Sequence, residues 1–231
     1  MHQLNKLFDK IVCINLLERP DKKEKIEKRF NELGIEVEWF NAVKYDFIPT
    51  IIKPIASISP GCFNVNQPYE IGAALSHYTV IKQAFLQGVE KLFVFEDDAL
   101  FRKDFNDKIE GYLNIVPDNW DMIMFYAFMY NIEPQNIRIN AKWIKAFHSW
   151  SFLSYGINRN FMDQYIKRQD ARFSISDLVS YMMQEQGFNV YVTIPTLCIP
   201  NTELKSNIRN EMNYKNNPTI INMGYSTDNY E

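Results

Sequence analysis

Lys91-Leu92-Phe93-Val94-Phe95-Glu96-Asp97-Asp98-Ala99-Leu100 is the stretch whose reading decides the fold. Phe93, Val94 and Phe95 have the β-branched and aromatic character of a fully buried strand, and three carboxylates follow at once. Such a strand emerges into a loop at the edge of its sheet. In an extended chain side chains alternate, so Glu96 and Asp98 point to the same side. Two same-side carboxylates suit a hard divalent cation, which needs only one or two protein ligands when a substrate pyrophosphate supplies others. The plainer reading is that acidic residues at a strand end cap a helix or face water.

Working outward, a helix should start near Pro68, with Ile71, Ala74, Leu75, Tyr78, Ile81 and Phe85 as its apolar stripe and Gly88 as its stop. Further upstream, Ile11–Leu16 reads as a strand. Asp21 then opens a helix with Ile26, Phe30 and Leu33 on one face and Gly34 at its C′ position. Ile35, Val37 and Trp39 alternate with polar neighbours, so the first forty residues read as a βαβ unit with a parallel pair. Residues 41–67 have no clear period and read as a long connection.

Downstream of the acidic triplet, Asp104 should cap a helix carrying Phe105, Ile109, Tyr112 and Val116, ended by Pro117. Strands are expected at 121–128, 143–147, 151–157 and 190–194, and helices at 160–168 and 176–186. The tail from Asn201 should be loop-like or partly disordered.

The chain has 231 residues, with 25 basic against 28 acidic ones. That length suits one α/β domain, and the balance provides no basic field for nucleic acid. Cys13, Cys62 and Cys198 are too scattered for a disulfide framework or a zinc knuckle, which fits a reducing compartment. No stretch approaches the roughly 18 uninterrupted apolar residues of a membrane span, so the expectation is a soluble, cytoplasmic protein.

Other polar residues are candidates for chemistry. Arg19 follows the first strand and could hold a phosphate bidentately, or simply begin a solvated helix face. Ser76 and His77 lie in the helix before the acidic strand and could touch a ligand, although a lone helical His is more often structural. Asp177 could serve as a base near an acceptor hydroxyl, while Ser176 or Asp177 as a helix cap is the default account. Trp143, Trp150, Tyr126, Tyr130 and Tyr155 offer ring faces on which a sugar could lie, though most should be core. Lys22, Lys23, Lys25, Lys28 and Arg29 cluster on one helix, but Glu24 and Glu27 interleave with them and favour a solvated face over a membrane surface.

Taken in order, these pieces resemble glycosyltransferase family 25, which includes lipopolysaccharide sugar transferases and relatives of the collagen galactosyltransferases. Ile14-Asn15-Leu16 with Arg19 matches the family's opening strand, and Lys22 stands where a second Arg is usual. Gly72, Leu75, Ser76 and His77 match its Gly-x-x-Leu-Ser-His helix, and Glu96-Asp97-Asp98 follows about twenty residues on. Trp120-Asp121, Ser154-Tyr155-Gly156-Ile157 and Asp177 match more loosely. Ser206-Asn207-Ile208 stands where Ser-Asp-Ile is common.

The resemblance implies a GT-A-like α/β fold in one domain, with a mixed, mostly parallel sheet. Residues 10–130 would form the nucleotide-sugar half, 131–200 the acceptor half and 201–231 the tail. It implies a UDP-sugar donor, often UDP-galactose, and Mn2+ or Mg2+ held by Glu96 and Asp98. Asn15, Arg19, Ser76, His77 and Asp97 would contact the nucleotide sugar, and Asp177 would be the catalytic base. It further implies inverting transfer to a glycan or hydroxyl acceptor in lipopolysaccharide or surface glycan synthesis, with a lipid-linked acceptor drawing the chain to the inner face of a membrane. The rival expectations are an inactive sugar-nucleotide-binding relative and a metal-dependent phosphohydrolase or nucleotidyltransferase.

Overall fold

A computed structural model describes residues 1–44, 68–129, 137–171, 174–201 and 227–231. A short helix, α1 (Gln3–Leu7), precedes the first strand, β1 (Lys10–Asn15), and helix α2 (Pro20–Leu33) crosses to β2 (Glu38–Asn41). Gly34 ends α2 at φ 74°, a left-handed conformation that glycine adopts without a Cβ penalty, and Ile35 N–H closes back on the Phe30 carbonyl at 2.9 Å. The second strand thus begins three residues later than its alternation suggests. Most of the expected connection, residues 45–67, lies outside the described residues.

Helix α3 (Pro68–Leu86) leads to β3 (Lys91–Glu96), a turn at Asp97 and Asp98, and β4 (Ala99–Phe101). Then come α4 (Phe105–Leu113), β5 (Met122–Met124), β6 (Phe128–Met129), β7 (Ile137–Arg138), β8 (Trp143–Lys145) and β9 (Ser149–Trp150). Strand β10 (Ser154–Asn158), helices α5 (Arg159–Ala171) and α6 (Ser176–Glu185), and strands β11 (Val190–Thr193) and β12 (Cys198–Pro200) complete the order.

Eight strands form the main sheet in the order β2-β1-β3-β10-β5-β11-β8-β7. β10 and β8 run against the other six, so the sheet is mixed but mostly of one direction, as the expected α/β fold requires. Two small ribbons, β4–β12 and β6–β9, stand beside it.

Alternation along the central strands divides the core between the two faces. Ile11, Cys13, Phe93 and Phe95 pack with Ile26 and Phe30 of α2 and Phe105 and Ile109 of α4. Val12, Ile14, Leu92 and Val94 pack with Val80 and Ile81 of α3, and with Phe161 and Tyr165 of α5 and Val179 of α6. Burying both faces of a sheet under helices is what an uninterrupted apolar run on β3 demands.

Several local expectations are corrected. Asp104 forms no cap hydrogen bond, because both its oxygens are bound by Arg102 at 2.7 and 2.9 Å. Ile175 is the N-cap of α6, and Ser176, already helical, bonds Tyr165 instead. The strand expected at 121–128 ends at Met124, since the Phe125 carbonyl turns to accept from Leu197 N–H and the Thr193 hydroxyl. The last residues of the tail are anchored: Tyr230 is buried and donates to the Thr196 carbonyl at 2.8 Å, while Glu231 exchanges backbone hydrogen bonds with Phe101. Residues 202–226 lie outside the described residues, Ser206-Asn207-Ile208 among them.

Candidate active site

The alternation that sorts the core also sorts the polar ends of the strands. Asn15 continues the α2 face of β1, and Asp97, one residue past β3, continues that same face. Asn15 Nδ2 donates to Asp97 Oδ2 at 2.8 Å and to the Arg19 carbonyl at 3.1 Å, which ties the two strand ends to the start of α2. Lys22, on the first turn of α2, reaches inward to Asp97 Oδ1 at 3.1 Å and Asp98 Oδ2 at 3.4 Å. Its side chain is only 5% exposed.

Glu96 belongs to the opposite face, opposite Ile14 in the strand register. There Oε1 meets His77 Nε2 at 3.2 Å, and His77 Nδ1 meets the Tyr155 hydroxyl at 3.0 Å. The result is a chain from the part-buried acidic edge into the core: Glu96, His77 of α3, Tyr155 of β10. Backbone bonds fix both ends of the acidic turn, with Glu96 N–H on the Leu153 carbonyl and the Asp98 carbonyl accepting from Asn201 N–H at 2.7 Å.

The same-side pairing of Glu96 and Asp98 is therefore corrected. Strand geometry stops at Glu96, the chain turns, and the Asp98 carboxylate swings to share Lys22 with Asp97 while Glu96 keeps His77. The carboxylates still feel one another. Burial, opposed by Lys22 and reinforced by Glu96 and Asp97, pushes the Asp98 carboxyl up to about 6. Asp97 is raised as well, mainly by burial. For Glu96 burial works upward too, but the His77 hydrogen bond and charge outweigh it and hold the carboxyl below its ordinary value.

The remaining candidates differ in how their side chains are engaged. Ser76 is buried, donating to the Gly72 carbonyl at 2.7 Å and accepting from Val43 N–H at 2.8 Å, so its expected ligand contact becomes a clamp on the segment after β2. His77 is buried with both ring nitrogens engaged, and it likewise orients Glu96. Arg19 forms a two-pronged pair with Asp21 at 2.9 and 2.8 Å. Asp177 lies in the first turn of α6, and its charge, like that of Glu96, helps raise the Tyr155 hydroxyl, whose main perturbation is burial. Asp177 and Glu96 thus act on one buried phenol from the same side of the sheet.

The basic cluster on α2 is shared among different partners: Lys22 turns to the acidic edge, Lys23 lies over the Trp39 ring, and Arg29 pairs with Glu32 and Glu231. Tyr155, which the sequence marks as a possible sugar platform and as part of a loose family match, is the residue whose contact with His77 sequence reasoning missed. Its position opposite Val94 on an antiparallel neighbour is a long-range pairing that no local period announces.

Does this donor set suit a divalent ion? Among the described residues no group of three or more His, Cys, Asp or Glu side chains is arranged as a ready cation cage. Yet Lys22 contacts only two of the three carboxylates, and Asp98 and Glu96 use only one oxygen each in their hydrogen bonds among the described residues. An ion that also binds a pyrophosphate and water needs no more from the protein. The residues fit an ion recruited with a diphosphate rather than a resident one.

Fold and site together define an α/β domain with an acidic strand end at the carboxyl edge of a parallel strand pair, the place where such sheets bind ligands. The chain belongs to glycosyltransferase family 25: the family described as "Glycosyltransferase family 25 (LPS biosynthesis protein)" matches residues 8–194. It is 32% identical to a glycosyltransferase 25 family member of Drosophila melanogaster over 164 residues, 65% of this chain and 26% of that protein. It is 30% identical to human procollagen galactosyltransferase 2 over 65% of this chain and 26% of that one. It is also 28% identical to the human inactive glycosyltransferase 25 family member 3 over 55% of this chain and 23% of that protein. The chain thus spans about a quarter of the length of these relatives. A solved glycosyltransferase involved in glycosylating the major capsid of PBCV-1 aligns over 79% of both chains at 10% identity, with a TM-score of 0.44. Among the described residues no helix is long and apolar enough to cross a membrane.

Proposed function

We propose that this chain is a glycosyltransferase that transfers a hexose, galactose being favoured, from a UDP-sugar to a glycan or hydroxyl acceptor. The observation that carries the reading is the Glu96-Asp97-Asp98 edge, braced by Asn15, Lys22 and His77, in a chain of family 25. Mn2+ or Mg2+ would be held by Asp98 and Glu96, and when bound it would stabilise negative charge on the departing diphosphate. Asp97, fixed by Asn15 and Lys22, orients the turn that presents both ligands.

In the proposed inverting displacement, an acceptor oxygen forms a bond to the donor's anomeric carbon as the bond to the diphosphate breaks. UDP leaves with that electron pair, and the acceptor proton passes to a base, for which Asp177 is the candidate. The name procollagen galactosyltransferase 2 on a relative supports galactose, and the family's description supports a role in lipopolysaccharide synthesis. Such a role would put the chain in the cytoplasm, working on a lipid-linked acceptor at the inner face of a membrane.

UDP release from a panel of UDP-hexoses, with acceptor and Mn2+, tests the proposal. Release should fall at least a hundredfold with chelator or in Asp98→Ala. Release unchanged by both would defeat it. The second reading is a catalytically silent sugar-nucleotide-binding protein, favoured by the ammonium that already sits on Asp97 and Asp98 and by relatives named inactive. Donor binding without turnover on any acceptor would select it.

A further inference from the structure

Of the aromatic residues that sequence offers as sugar platforms, Trp143, Tyr126 and Tyr155 are buried in the core, and Tyr130 lies outside the described residues. Trp150 is only part-buried. It stands in an aromatic group: its ring centroid lies 5.2 Å from that of Tyr181, and Tyr181 stacks on His148 at 4.3 Å with 10° between planes.

The group is rigidly built. Ser149, between His148 and Trp150, is clamped to α6 by Gln184, whose Oε1 accepts from its N–H at 2.9 Å and its hydroxyl at 3.0 Å while Nε2 donates to its carbonyl at 2.9 Å. His148 Nε2 also meets Glu185 Oε1 at 3.2 Å. The backbone on both sides of Trp150 is held at positive φ, 59° at His148 and 147° at Ser151, conformations that cost a non-glycine residue energy and persist only where surrounding contacts enforce them.

The location is as telling as the construction. Three residues after Trp150, the Leu153 carbonyl accepts the Glu96 N–H at 2.8 Å, so about 11 Å of extended chain at most separates the platform's backbone from that contact. Phe152, between them, packs edge-on against His77 at 5.2 Å. On α6, Asp177, Tyr181 and Glu185 recur every four residues and therefore share one helix face. The candidate base, an aromatic ring and a carboxylate thus line one stripe of α6.

We infer that Trp150, Tyr181, His148 and Glu185 form the acceptor subsite, which takes a hexopyranosyl unit. Rings with a negative π face attract the weakly positive C–H face of a pyranose, and a carboxylate at the rim accepts its hydroxyls. This inference rests on the proposed function for the role of that sugar as acceptor; the binding itself does not depend on it.

Intrinsic fluorescence titration with methyl β-galactoside, methyl β-glucoside and lactose tests the subsite, with UDP-galactose titrated in parallel by calorimetry. At least one glycoside should give a saturable change that weakens at least tenfold in Trp150→Ala and, read by saturation-transfer NMR, in Tyr181→Ala. Trp150→Phe, which keeps a ring face, should recover most of that affinity, separating a lost contact from a lost fold. Glycoside affinity unmoved by Trp150→Ala, or no glycoside binding while UDP-galactose binds, overturns the subsite. Glycoside binding that follows these substitutions while UDP-galactose fails to bind upholds it and counts instead against the proposed function.

Discussion

Lys22 holds a buried ammonium against Asp97 and Asp98, in the place where the family resemblance calls for an arginine. Burial alone lowers its pKa, and the two carboxylates together lift it above the ordinary lysine value, so it stays charged. A lysine is a compact point charge without the planar fork of arginine, so it neutralises these carboxylates without binding either one bidentately. Asp98 bears the remaining strain, its carboxyl pushed up to about 6. Because the folded protein holds that proton more tightly than the unfolded chain, the ionised group costs stability that is regained as pH falls through about 6. The proposed cation competes with the same proton, so Mn2+ affinity should be about tenfold weaker at pH 5 than at pH 7, read by Mn2+ electron paramagnetic resonance. Equal affinity at both pH values would remove Asp98 from the ligand set. The three carboxylates were legible in the sequence as a cluster at a strand end; their division between Lys22 and His77 was not, because the turn at Asp97 and Asp98 cancels the alternation that sequence reasoning extends.

Strand β10 shows how an element far away in sequence completes the acidic edge. It inserts antiparallel between β3 and β5, bringing Tyr155 under His77 and Gly156 beneath the Phe8 ring. A Cβ at Gly156 would overlap the Phe8 ring and stand 3.0 Å from Phe93 Cδ2, both in the packed core. Gly156→Ala should therefore destabilise by about 2 kcal/mol through overpacking, lowering Tm by about 5 °C, measurable by calorimetry. A Tm within a degree of the parent would mean that Phe8 yields freely. Helices α2 and α3 were readable because each repeats its period several times, and strands β1 and β3 because each is a continuous apolar run. The two- and three-residue strands β4, β6, β7, β9 and β12 were not, since so short a segment carries no period and exists only by pairing with a partner. α1 escaped for the same reason, at five residues.

At the scale of the whole molecule, the mixed sheet gathers the polar ends of β1 and β3 and the start of α2 on one edge. β1 and β3 end side by side with Asn15, Glu96 and Asp97, α2 supplies Lys22, and the β9–β10 segment joins Trp150 to the Glu96 backbone. The order strand, helix, strand foretold the parallel β1–β2 pair, because a short crossover leaves few alternatives. The antiparallel insertion of β10 was not foretold: its place depends on burial of Tyr155 and Ile157 against both neighbours, which is a property of the assembled core. A crystal soaked with Mn2+ and UDP-galactose, examined at the manganese absorption edge, tests the central claim most directly. An anomalous peak should contact carboxylate oxygens of Asp98 and Glu96 and oxygens of the diphosphate. A diphosphate bound away from the acidic edge, or bound there with Lys22 still on Asp98 and no ion, would contradict it.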